Sequence, residues 1–147
     1  MKPPFSLQPV RDLAQHKSDD AAAALGRLRG QEQQTRQTLE TLENYRDEYR
    51  ARFEQALMNG MTPVELNNYQ AFLSKLDQAL EEQHKLVCQS ESRSEQGLQQ
   101  WQMQTRKLKS LDVLAHREEQ KQRKDAMRLE QRLLDEHNST RAGKHNT

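Results

Sequence analysis

The chain has 147 residues, 33% apolar and 31% charged, with 5 Gly and 4 Pro. So little apolar material cannot line a thick core, and the absence of Ile and scarcity of Val argue against a sheet, whereas so few breakers suit long helices. The 23 basic and 22 acidic residues are mixed along the chain for a net charge of +1, so no polybasic face is expected and nucleic acid is a poor partner.

Other classes recede for equally simple reasons. No apolar run approaches the ~20 residues of a membrane span, so no direct membrane insertion is expected. The start, "MKPPFSLQPV", has one Lys and no apolar stretch, which does not read as a secretory signal. One Cys excludes an internal disulfide framework, and a cytoplasmic location is the simplest expectation. Periodicity must decide between disorder and coiled coil.

Helix 1 is expected over about 6–58. Ser6 can cap its first amides, and Pro9 is tolerated in a first turn. Its apolar positions run Leu7, Val10, Ala14, Ala21, Ala24 or Leu25, Leu28, Leu39, Leu42, Tyr49 and Phe53, with Gln31 and Thr35 diluting the middle.

A turn follows at 59–62. Asn59-Gly60 accepts the left-handed conformation that ends helices. Thr62 then stands at an N-cap position, Pro63 at the first helical position and Glu65 three residues after the cap, the pattern of a capping box. Met61 and Leu66 fit a hydrophobic staple. A connection this short returns the second helix antiparallel to the first.

Helix 2, over about 63–137, carries a sustained alternation of threes and fours. Leu66, Tyr69, Leu73, Leu76, Leu80, Val87, Trp101, Leu108, Leu111, Ala115 and Leu129 fall on it. Gln83, Ser90, Ser94, Gly97, Glu118, Gln122 and Asp125 fall on the same frame, so the seam is weak in its middle and fails at its end. Folding about Gly60 opposes Phe53 to Leu66–Tyr69, Tyr49 to Phe72, Leu42 to Ala79–Leu80, Thr38 to Gln83, Gln31 to Ser90, and Leu7 to Leu114. Ala21–Ala24 then make room for Trp101. The expected fold is all-α: an antiparallel two-helix coiled-coil hairpin, one elongated domain over 1–147, with helix 2 extending beyond helix 1 and a disordered tail at 138–147.

Little here suggests catalysis or a cofactor. There is no phosphate-binding glycine loop, and a two-helix hairpin encloses no pocket for a nucleophile and a base. His84 and Cys88 share a helix face, but two ligands do not make a metal site. The informative excess is aromatic: Tyr45 stands beside Leu42 and Tyr49, and Phe72 and Ala79 flank Leu76, a stripe wider than one partner helix covers. Such residues are interface anchors, although a twisted hairpin or a second copy could also bury them. After Ala115 the segment "HREEQKQRKDAMRLEQRLLDEH" keeps only Met127, Leu129, Leu133 and Leu134 as apolar side chains, either a solvated helix or a docking helix.

The segments "LENYRDEYR" (42–50), "MNG" (58–60), "NNYQAFLSKLDQALEEQ" (67–83) and "DLAQHKSDDAAAALG" (12–26) carry a resemblance that covers nearly the whole chain. They resemble the FliJ family, the small coiled-coil component of the flagellar type III export apparatus. The resemblance implies a non-enzymatic antiparallel coiled coil similar to the central stalk subunit of rotary ATPases. Such a protein promotes hexamer formation and activity of the export ATPase FliI, whose regulator is FliH. It links that ATPase to the export gate protein FlhA and assists recycling of late-substrate export chaperones, in the cytoplasm and peripherally at the inner-membrane apparatus. Gate contact maps by resemblance to Thr38, Leu42, Tyr45, Tyr49, Phe72, Leu76, Ala79 and Gln83; the family can carry His at the last of these, whereas this chain has His84 next to it. Engagement of the ATPase ring maps to Val10, Leu13, Leu129, Leu133 and Leu134. The alternatives are the stalk protein of a virulence secretion system and a self-associating coiled-coil scaffold.

Overall fold

The computed structural model describes residues 6–145, and every element in it is helical: α1 spans Gln8–Met58 and α2 spans Pro63–His145. The chain is an all-α helical hairpin. Contacts divide it into two compact units, Asp19–Met103 and Met1–Ser18 with Gln104–Thr147, where the sequence suggests one domain. Each unit carries part of both helices.

The Asp19–Met103 unit contains the turn. Gly60 has φ 92°, a backbone conformation open to glycine at little steric cost, and its amide donates to the Leu57 carbonyl at 3.3 Å. The Thr62 hydroxyl accepts from the Glu65 amide at 3.3 Å and the Thr62 carbonyl from the Leu66 amide at 3.0 Å. The cap satisfies a donor that the first turn of α2 would otherwise leave free, a contribution of about 1 kcal/mol.

The inward set of α2 in this unit is the expected one, with Leu76, Leu80, Val87, Ser90 and Ser94 buried and Leu66, Tyr69, Leu73, Gln83 and Gly97 half-buried. On α1 the frame proves continuous where the sequence reading leaves a gap. Ala21, Leu25, Leu28, Glu32, Thr35, Leu39, Leu42, Arg46, Tyr49 and Phe53 alternate by fours and threes, and all are buried or half-buried. Glu32 and Arg46 occupy seam positions that hydrophobicity alone does not reveal.

Two expected polar pairings are corrected by this frame. Ser90 meets Thr35, hydroxyl to hydroxyl at 2.9 Å, while Gln31 is exposed. The Gln83 amide donates to the Thr35 carbonyl at 3.0 Å, while the Thr38 hydroxyl turns back to the Gln34 carbonyl at 3.1 Å. Thr35 holds the inward position because it follows Leu28 by seven residues, one full heptad. Ala21 and Ala24 border a groove with Gly97 and Gln100; Trp101 is half-buried.

In the unit formed by the start of α1 and the later part of α2, the Ser6 hydroxyl accepts from the Gln8 amide at 3.2 Å, and Ala14 and Ser18 are buried. Arg11 pairs with Asp112. The first turn of α1 has no acidic residue of its own, but Ser6, Leu7 and Gln8 share a groove with Glu118 and Glu119 of α2. Those carboxylates complement the positive end of the α1 dipole.

The far end of α2 corrects the expected tail. The helix does not stop near His137 but continues to His145. Nothing in 138–145 removes a backbone donor as proline would, and the Thr140 hydroxyl donates to the Glu136 carbonyl at 2.9 Å within the helix. Asn146 and Thr147, the rest of that tail, and Met1–Phe5, where no secretory signal is read, lie outside the described residues.

Candidate partner-binding surfaces

An aromatic ladder dominates the turn-proximal part of the Asp19–Met103 unit. Tyr45, Tyr49 and Phe53 follow one another by fours on α1 and meet Tyr69 and Phe72 of α2. Ring centroids lie 4.5 Å apart for Tyr49–Phe72, 5.3 Å for Tyr49–Tyr69 and 5.6 Å for Phe53–Tyr69. Tyr45 meets Phe72 edge-on, at 6.3 Å and 79°. Pairs of this kind contribute roughly 0.5–1.5 kcal/mol each beyond the area they bury. Desolvation raises the Tyr49 phenol above 10.0, with neighbouring Tyr69 and Tyr45 adding to the effect.

Tyr45 belongs to the ladder but not to the seam. The seam position between Leu42 and Tyr49 is taken by Arg46, whose guanidinium reaches Asp77 at 3.4 Å. Tyr45 is thereby set on the flank, 46% exposed, with Phe72 supporting its ring. Of the other gate positions suggested by the resemblance, Thr38 is exposed, and Leu42, Tyr49, Phe72, Ala79 and Gln83 are half-buried. Leu76 is only 7% exposed and lies in the seam, so it supports the surface from beneath. Arg46 is the residue that sequence reasoning missed. Its signal was the heptad count from Tyr49 and Leu42, hidden because Arg is not an expected seam residue.

The second surface belongs to the other unit. Every residue from Glu119 to Gly143 is exposed, and only its start, at Glu119 and Gln122, borders the groove shared with the beginning of α1. Met127, Leu129, Leu133 and Leu134 all present large apolar side chains there, each more than half exposed. Val10 and Leu13, the other positions assigned to the ATPase ring, are exposed on α1. The groove that α1 shares with α2 extends along α2 to Gln122, short of the three leucines.

Charge on this stretch is also ordered in a way its sequence conceals. At 100° per residue, Arg117, Lys121, Lys124, Arg128 and Arg132 fall within about 80° of arc, while Leu129 and Leu133 lie about 100° and 140° around the helix from its centre. The first four border one shallow groove, with Asp125 at its rim. The expectation of no polybasic face is therefore corrected: signs that alternate along the sequence are sorted by the helical period.

Chemistry beyond binding finds little footing among the described residues. The His84 ring lies 3.8 Å from the Glu43 carboxylate, and Cys88 is an exposed free thiol. No group of three or more His, Cys, Asp or Glu side chains is placed to hold a metal, and no helix is long and apolar enough to cross a membrane.

With these surfaces in view, comparison with known proteins is informative. The sequence matches the family described as "Flagellar FliJ protein" over residues 1–147. A flagellar FliJ protein of Salmonella typhi is 29% identical over 131 residues, 89% of each chain. One of Escherichia coli (strain K12) is 28% identical over 131 residues, again 89% of each. A match along the whole chain, on a helical hairpin with its turn at Gly60, places the protein in the flagellar FliJ family and so among the components of flagellar protein export.

Proposed function

We propose that this chain is a stalk-like, non-catalytic activator in flagellar export. It promotes hexamer formation and hydrolysis by the export ATPase FliI, alongside FliH, links that ATPase to the gate protein FlhA, and assists recycling of late-substrate chaperones. It works in the cytoplasm, peripherally at the inner-membrane apparatus. The uncovered part of α2, with Leu129, Leu133 and Leu134, and the exposed Val10 and Leu13 of α1 serve the ATPase. The flank formed by Thr38, Leu42, Tyr45, Tyr49, Phe72, Ala79 and Gln83, supported by Leu76, serves the gate.

The observation that carries this reading is Tyr45. It is a large aromatic side chain packed edge-on against Phe72 yet 46% exposed, the condition of an interface anchor waiting for cover. The test is binding of FlhA by Tyr45→Ala alone and by Tyr45→Ala with Phe72→Ala, measured with helicity by circular dichroism. Weaker binding at unchanged helicity supports the gate surface. Loss of binding and helicity together would show that these rings serve the fold.

A further inference from the structure

The basic face of α2 has no role in the reading above, which uses the apolar side chains of the same helix. Arg117, Lys121, Lys124, Arg128 and Arg132 recur at intervals of four, three, four and four, and all five are exposed. None is ion-paired among the described residues, whereas Arg11, Arg36 and Arg46 each have a carboxylate partner. Like charges three and four residues apart on a helix repel, and the acidic neighbours that offset this, Asp125, Asp135 and Glu136, approach only part of the row. A chain seeking only solubility could have alternated the signs around the helix. The row ends at Asp135, which falls on the same face and accepts a bond from Gln131 at 3.3 Å.

We propose that this row is a binding site for an anionic phospholipid surface, on which the helix lies by its basic face. Charge complementarity identifies the class, since five neighbouring cations attract a dense array of phosphates. Geometry favours a bilayer over a cleft in an acidic protein. The cations occupy one narrow strip along the axis, which a plane can touch throughout. The carboxylates of Asp125, Glu118 and Glu136 lie beside that strip and those of Glu119 and Glu130 behind it, where an enveloping acidic partner would meet repulsion. Leu129 and Leu133 lie about 100° and 140° around the helix from the strip's centre, so the contact is electrostatic adsorption and leaves most of the apolar face available to a protein. The proposal does not depend on the ATPase or gate assignments.

The test is co-sedimentation of the full chain with vesicles of phosphatidylcholine alone and of phosphatidylcholine containing about 30% phosphatidylglycerol, at low salt and at about 0.5 M salt. Three proteins are compared: the parent, Lys121→Gln/Lys124→Gln/Arg128→Gln on the strip, and Lys109→Gln/Arg123→Gln/Arg141→Gln off it. Gln keeps the helical propensity of Lys and Arg, so both triple variants retain the fold, which circular dichroism checks. The expected result is binding only to the anionic vesicles, lost at high salt, weakened at least about tenfold by the strip variant and less than about twofold by the other. Absence of binding to anionic vesicles, or equal losses in the two variants, would overturn the proposal. Retention on polyglutamate or RNA without retention on vesicles would also overturn it, assigning the strip to a protein or a nucleic acid.

Discussion

Leu28 occupies the space that Gly97 leaves. A Cβ at position 97 would stand 2.7 Å from Leu28 Cδ1 and 3.6 Å from Leu25 Cδ1, so the absence of a side chain on α2 is filled by the leucines of α1. Glycine within a helix is unfavourable by about 1 kcal/mol relative to alanine, and close packing is what offsets it here. Gly97→Ala is therefore expected to change stability by less than about 1 kcal/mol, because the gain in propensity opposes a contact that the half-buried Leu28 can relieve by shifting. Gly97→Leu has no such relief and should cost roughly 1–3 kcal/mol. Thermal melts followed by circular dichroism decide, and a Gly97→Leu variant as stable as the parent would contradict this packing.

The Thr35–Ser90 layer makes a different kind of prediction. Both hydroxyls also contact a carbonyl of their own helix, Thr35 at Glu32 and Ser90 at Val87, each at 2.8 Å. Ser90→Ala removes one member and should cost about 1 kcal/mol in urea denaturation. Thr35→Val with Ser90→Ala removes both and should recover most of that loss, since no half-satisfied partner remains. Strictly additive losses in the double variant would mean that the two hydroxyls do not act together.

Tyr49 predicts an alkaline limit. Its phenol is raised above 10.0 in the folded chain, chiefly by desolvation, so folding favours the protonated form. The sign follows directly: the stability associated with that proton is fully present below pH 10.0, the unfolded value, and is lost as pH rises toward and through the folded value. Tyr49→Phe should flatten this part of the stability–pH curve. An unchanged alkaline decline in Tyr49→Phe would assign it to other groups.

The uncovered part of α2 predicts a separation of stability from function. Removing residues 119–147 deletes side chains that are exposed throughout 119–143, among them Glu119 beside the start of α1, so the stability of the remainder should move by less than about 1 kcal/mol. Trypsin should cleave the intact chain at Arg123, Lys124 or Arg128 before it cleaves at Arg46, because a helix without tertiary cover opens locally at little cost. Activation of the ATPase, by contrast, should fall. Full activation by the truncated chain would remove this stretch from the ATPase assignment.

The parts of this structure that the sequence revealed are those where one residue type has one physical meaning. Asn59-Gly60, Thr62-Pro63 and Glu65 determine a stop and a start by local chemistry, and the observed bounds at Met58 and Pro63 follow. The heptad of α2 is visible because leucines mark it at both ends. Glu32 and Arg46 of α1 were hidden because a charged residue is not an expected seam residue; Glu32 pairs with Arg36 of its own helix, and the Asp77 carboxylate that meets Arg46 lies 31 residues away. The same limit applies to Tyr45: its excess over the seam was visible, but its displacement to the flank by Arg46 was not. The basic strip is not legible from charge along the chain, where acids and bases alternate; only the helical period brings its cations to one side.

The central claim is tested most directly by the hydrolysis rate of purified FliI as the full-length chain is titrated in, with hexamer content followed alongside. The expected result is a saturable rise in rate that tracks hexamer formation and is lost on truncation at Glu119. A rate that stays flat across the titration, with no complex formed, would contradict it.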